Sequence, residues 1–287
     1  MIAHVAQAGE DRGRVVLQMG SRHPSPVALD AAFRIARAFE SEIECLFVED
    51  AQLFDVAAYS FVREIPLSGR QSRALTAESV GTALANAAAG ARRQIERLGR
   101  LKDVAVRCNV VRDETLHALA IACTERGPWN VIALAEPVGS ADGAVLRRIL
   151  DEVDGATGVV LVGHLARAAE GPVVLVVEQV DTLPGMLRTA QRLVVDAPAG
   201  IVVLLVATDE LELHDLDAHA RLAIGGMEGI RIINAEVARD EPAVVAEALR
   251  RLSPGFVIGQ FGGLVMSDRN DLRPIFSVLR CPLLLVR

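Results

Sequence analysis

Ile201-Val202-Val203-Leu204-Leu205-Val206-Ala207 is seven apolar residues without a polar interruption, most of them β-branched. A run of this length and composition reads as a strand covered on both faces, the kind found in parallel sheets under two layers of helix. It is far shorter than the roughly 18–20 residues that cross a bilayer. Pro172 to Val177 repeats the pattern on its N-terminal side, and Phe256 to Gly259 and Pro282 to Val286 repeat it beyond. Between these runs the apolar residues recur at helical spacing, so the chain alternates strand and helix in the order of an α/β fold.

Reading outward gives five strands in each half. The first five are expected at 15–19, 42–48, 104–111, 130–135 and 158–162, the second five at 172–177, 201–207, 230–237, 256–259 and 282–286. Helices fit between them at 26–39, 114–124 and 144–153 in the first half, and at 183–195, 211–224, 241–252 and 272–280 in the second. The connection after the second strand is longer, with a loop or short helix over 51–70 and an alanine-rich helix over 72–98. The polar joint His164 to Gly171 separates two units of similar order, so the expected domains are 1–168 and 169–287. Each is a Rossmann-like unit of five parallel strands with helices on both faces.

Composition narrows the function. The 287 residues are 51% hydrophobic, enough to build more than one core. The 37 acidic against 30 basic side chains leave a net charge of -7, the wrong sign for a surface that gathers phosphate backbones. At 3% aromatic content there is no platform on which bases would stack, so nucleic acid is not an expected partner. Cys45, Cys108, Cys123 and Cys281 form no CxxC pair, which fits a reducing cytoplasm and neither a zinc knuckle nor a disulfide framework. The first dozen residues carry Glu10, Asp11 and Arg12 and no apolar core of a secretory signal. A cytoplasmic protein with no membrane span is expected.

The opening strand and turn, Val15-Val16-Leu17-Gln18-Met19-Gly20-Ser21, and the ending, Val278-Leu279-Arg280-Cys281-Pro282-Leu283-Leu284-Leu285-Val286, resemble the universal stress protein family. The first is similar to the family's Asp-Gly-Ser turn with Met19 in place of the acid, the second to its closing helix and Cys-Pro-bounded strand. The resemblance implies two tandem copies of an adenine nucleotide alpha hydrolase-like fold. It also implies where a nucleotide would sit: on a Gly-x2-Gly-x9-Gly-Ser/Thr segment after the fourth strand. Glycines there admit the phosphates and the following helix N-terminus supplies N–H groups. In the second half Gly259 and Gly262 match the first two glycines, with Gly263 adjacent, and Leu272-Arg273 stands where the motif should finish. In the first half the same positions are Ala135 and Val138, and Glu136 places a negative charge where a phosphate would approach. Gly139, Ser140 and Gly143, with Arg147 and Arg148 beyond, offer an alternative anion nest. The glycines at 259, 262 and 263 also read simply as a tight turn.

In a doubly wound sheet the ligand site lies beyond the strand ends where strand order reverses. The candidate binding residues are therefore Gly20, Ser21, Gly139 and Ser140 in the first half and Gln179, Gly259, Gln260, Gly262, Gly263 and Ser267 in the second. ATP in the second unit is the one cofactor the pattern leaves open, and Asp268 and Asp271 are the carboxylates an ATP-hydrolysing enzyme would need. Glu210, His214 and Asp217 share a helical face that would suit a metal, but with Leu213, Leu216, Ala220 and Ile224 opposite they also read as the solvated side of an amphipathic helix. No nucleophile elbow is present, and His4, His23, His117 and His164 are scattered with no carboxylate in a recognisable catalytic arrangement. The expected function is a stress-response or regulatory binding protein rather than an enzyme. A small ligand and an unidentified protein partner are expected, with the two units packed as an internal pseudo-dimer and a homodimer open.

Overall fold

The computed structural model describes residues 13–65, 69, 72–125, 129–138, 143–167, 170–194, 199–236, 242–263 and 273–287. The first half runs β1 (Arg14–Met19), α1 (Pro26–Ala38), β2 (Glu42–Asp50), α2 (Ala51–Ala57), β3 (Arg63–Glu64), β4 (Arg73–Ala74), α3 (Ala77–Lys102), β5 (Val106–Asp113), α4 (Thr115–Glu125), β6 (Asn130–Leu134), α5 (Gly143–Glu152) and β7 (Ala156–Leu161). The second runs β8 (Val173–Val177), α6 (Leu183–Val194), β9 (Ile201–Ala207), α7 (Glu210–Ile224), β10 (Ile230–Glu236), α8 (Pro242–Leu252), β11 (Phe256–Gln260), α9 (Arg273–Val278) and β12 (Leu283–Val286). The α/β expectation is met, and most strand bounds fall within two residues of the sequence reading.

Ten strands form one continuous sheet in the order β10-β9-β8-β11-β12-β7-β6-β1-β2-β5. Within each half the strand order is third, second, first, fourth, fifth, with parallel neighbours throughout. Among the described residues of this sheet the antiparallel pairing is β12 on β7, where Leu284 stands opposite Val160 and Val286 opposite Gly158. One apolar cluster covers a face of the sheet with α1, α3, α6 and α7, and a second covers the other with α4, α5, α8 and α9. Each cluster runs across the β12–β7 seam. Arg34 of α1 lies over the Phe256 ring at 5.3 Å, and Arg192 of α6 lies over the Phe39 ring at 5.0 Å, so each half sends an arginine onto an aromatic ring of the other.

Local chemistry sets the element ends. Thr76 and Ser79 close a reciprocal capping box at 3.1 Å in each direction, which starts α3 at Ala77 rather than at 72. The residues ahead of it pair instead as β4 on β3, pinned by Arg73 Nε to Glu64 Oε2 at 2.6 Å. Asp209 caps α7 by accepting from the Glu212 N–H at 2.8 Å. At the start of β1 the Arg14 guanidinium is 2% exposed. It donates to the Glu44 carboxylate, to the Ala122 carbonyl and, at 2.9 Å, to Asn130 Oδ1. Asn109 adds a hydrogen bond to Glu44 Oε1 at 2.9 Å, so the buried charge pair is fully partnered.

Candidate functional site

The strand order reverses between β1 and β6 in the first half and between β8 and β11 in the second, and it is at those strand ends that a doubly wound sheet places a ligand crevice. The first crevice is built from the Gly20-Ser21 turn after β1 and the Ala135-Glu136 turn after β6. Ala135 fixes the two together: its N–H donates to Gln18 O at 3.0 Å and its carbonyl accepts from Ser25 N at 2.7 Å. Glu136 then reaches back across the crevice. Its Oε1 accepts from the Arg22 backbone N–H at 3.3 Å and lies 2.8 Å from where a β-carbon on Gly20 would stand. Arg22 Nε is 3.8 Å from the other carboxylate oxygen. The space that the missing side chain of Gly20 leaves is taken by the chain's own anion.

The second crevice repeats this with the partners exchanged. Here the glutamate comes from the first strand's end: the Glu178 carboxylate lies over Gly263, in the turn after β11, with both oxygens 2.6–2.8 Å from a β-carbon built there. Beside it Gln260 Nε2 donates to Gln179 Oε1 at 3.5 Å, joining the two turns. Gly262 has φ +82°, a left-handed conformation that favours glycine, so this residue is required by the turn itself. Gly259 stands within β11, in register with Leu285 of β12. The structure thus brings together Gly20 and Ser21 in one crevice and Gln179, Gln260, Gly262 and Gly263 in the other. Gly139, Ser140, Ser267, Asp268 and Asp271 lie outside the described residues.

The sequence reading noted Glu136 as a charge near the expected phosphate but placed neither it nor Glu178 on the opposing glycine. Met19, in the position of the family's acid, is 1% exposed and points into the core, and Val138 is buried on the other face of the sheet. Arg148 is paired with Glu152 at 2.8 Å along α5.

The acidic stretch of α7 is satisfied from within. Arg221 grips Asp217 at 2.6 Å and holds its carboxyl below the usual carboxylate range, Glu212 accepts from Thr208 Oγ1 at 2.6 Å, and His219 donates to the Asp215 carbonyl at 2.7 Å. His117 is bonded to Asp113 at 2.6 Å, which lowers that carboxyl too. Among the described residues no group of three His, Cys, Asp or Glu side chains converges on a metal position. Among the same residues no helix is long and apolar enough to cross a membrane.

Solved structures share this architecture. A universal stress protein from Archaeoglobus fulgidus DSM 4304 superposes with a TM-score of 0.63 at 11% identity, over 95% of this chain and 96% of that one. A structure described as a universal stress protein from Pseudomonas aeruginosa UCBPP-PA14 gives 0.57 at 15% identity, over 95% and 92%. The cytoplasmic domain of a prokaryotic cation chloride cotransporter gives 0.58 at 10% identity, over 96% and 95%. No protein-family model matches the sequence, and no curated protein matches it significantly. The chain has the fold of universal stress proteins.

Proposed function

We propose that the chain is a cytoplasmic regulatory binding protein of the universal stress protein type, two tandem copies of that fold joined as an internal pseudo-dimer, with crevices that no longer take ATP. The observation that carries this reading is the crossed carboxylate: Glu136 over Gly20 in one crevice and Glu178 over Gly263 in the other. A phosphate entering either crevice would meet a negative charge at contact distance and would have to displace it. The protein would then act by presenting its surface, or another small ligand, to a protein partner, and would turn over no substrate. The cotransporter neighbour, in which the same fold is a cytoplasmic domain, fits a role as a module acting on another protein. The ATP-hydrolysing alternative, which would cradle phosphates on the Gly259 and Gly262 turn, is opposed by Glu178.

Calorimetric titration of ATP with magnesium into the whole chain tests the proposal. The expected result is no saturable heat up to millimolar nucleotide and no phosphate release. One site per chain in the micromolar range, worth about -8 kcal/mol and abolished by Gly262→Arg, would overturn it.

A further inference from the structure

The sheet brings three sulfur atoms together on its α3 face. Cys45 of β2 and Cys108 of β5 are direct register partners on neighbouring parallel strands. The Cys45 thiol also lies 3.3 Å from Met19 Sδ, which arrives from β1 on the other side. Met19 and Cys45 are buried in the core cluster under α1 and α3, and Cys108, half-buried, packs at its edge. A cavity of about 270 Å³ between α3 and the two strands leads to Cys45 and Cys108, walled by Phe47, Ala85 and Ala88.

We propose that Met19, Cys45 and Cys108 form a binding site for one soft monovalent cation of the Cu(I) or Ag(I) type. Two thiols and a thioether are the donor set that selects such ions, and of the oxygen-bearing residues in the wall Glu49 is engaged by Arg112 and Asn109 is bonded to Glu44. The spacing favours a bridging ion over a disulfide. Paired residues on neighbouring strands stand about 4.8 Å apart with their side chains parallel, whereas a disulfide wants β-carbons about 3.8 Å apart. Metal–sulfur bonds of about 2.3 Å span sulfurs up to about 4.6 Å apart without moving a strand.

The charges also close. Binding releases the two thiol protons to solvent, and two thiolates with one monovalent cation leave a single negative charge. Arg92 of α3, which also pairs with Glu96, lines the cavity and offsets it. Glu49 lines the cavity as well, but its carboxylate is engaged by Arg112 at 2.9 Å. A bound ion would tie the edge strand β5 to β2 and β1.

The test is an anaerobic titration of the reduced full-length chain with Cu(I) held by a competing chromophoric chelator. One ion per chain is expected. Cys108→Ser should weaken binding by more than the roughly 100-fold that losing an outer-sphere partner costs, and Met19→Leu by at least about tenfold. Cys123→Ala and Cys281→Ala should bind as the parent does. Unchanged affinity in Cys108→Ser and Met19→Leu, a loss in Cys281→Ala, or no binding in the parent would overturn the site. Should a variant fail to fold, X-ray absorption on the loaded parent decides: three sulfur scatterers at about 2.3 Å support the site, and a nitrogen or oxygen scatterer refutes it.

Discussion

Oε1 of Glu136 lies 2.8 Å from the point where Gly20 would carry a β-carbon, and the glycine and the carboxylate fit because each occupies what the other leaves empty. Glu178 and Gly263 stand in the same relation in the other half. If these carboxylates are what excludes a phosphate, removing one charge should admit it. Glu178→Ala is expected to bind MgATP at least about tenfold more tightly than the parent, a change of about 1.4 kcal/mol, read by calorimetry. Equal heats for both proteins would mean that the crevice excludes nucleotide by shape rather than charge.

Gly158 sits on the seam, where a β-carbon would come within 2.8 Å of the Leu285 carbonyl of β12. Backbone cannot step aside as a side-chain tip can. Gly158→Val should therefore cost about 1–3 kcal/mol by urea unfolding and loosen the β12–β7 pairing that joins the halves. Trp129, the single tryptophan, lines the cavity between the halves beside Pro184 and Val286, so its fluorescence should report the loosened seam before the circular dichroism reports unfolding. Coincident transitions would show that the helices alone keep the halves coupled.

Arg14→Ala leaves the Glu44 carboxylate buried without its cation and should destabilise the chain by about 3–5 kcal/mol. Arg14→Met with Glu44→Leu removes both charges and should recover most of that loss, because the uncompensated charge, not the absent pair, is the expensive part. Urea titrations of the two variants separate the cases. If the double variant is no better than the single, the hydrogen bonds to Asn130 and Asn109 carry the stability instead.

What the sequence made legible follows the range of the forces involved. Ile201–Ala207 is buried at every position, so its strand bounds can be read from composition alone. The start of α3 could not be, because the alanine-rich run continues past the cap and only the Thr76–Ser79 exchange stops the helix. Two-residue strands such as β3 and β4 carry too little pattern to see. The β12–β7 seam joins residues far apart in the chain, and nothing local marks Gly158 as the place where two strands close up. Arg14 reads as an ordinary charge at a strand start until Glu44, Asn130 and Ala122 arrive from three other elements. In the crevices the glycines and glutamates were visible singly, while their crossing over one another is a tertiary fact.

Glu247 on α8 is held by Arg250 at 2.6 Å and Arg251 at 3.0 Å, and these hydrogen bonds bring its carboxyl from the ordinary 4.5 down to about 2. A carboxylate depressed in the folded state stabilises the fold above its ordinary value and loses that contribution as pH falls from about 4.5 towards about 2. The side-chain carboxyl followed by NMR should titrate near 2, and Arg250→Ala with Arg251→Ala should return it towards 4.5 and flatten that part of the acid unfolding profile. A midpoint near 4.5 in the parent would mean that solvent screens the pairs.

The four thiols should separate by reactivity. Burial pushes Cys123 and Cys281 up to about 12, so at pH 8 only about one part in ten thousand of each is thiolate. Cys45 is raised too, by its hydrogen bond with Cys108 and then by burial, and the same bond lowers Cys108. Cys108 is also the thiol with partial solvent access. Maleimide labelling of the folded chain at pH 8, mapped by mass spectrometry, should mark Cys108 first and leave Cys123 and Cys281 unmodified until denaturant is added. Labelling of Cys281 at a rate comparable to Cys108 would mean that the β12 end of the seam opens in the native state, and then the two halves could not be closed by the pairing of β12 on β7 as tightly as the buried Leu284 and Leu285 require.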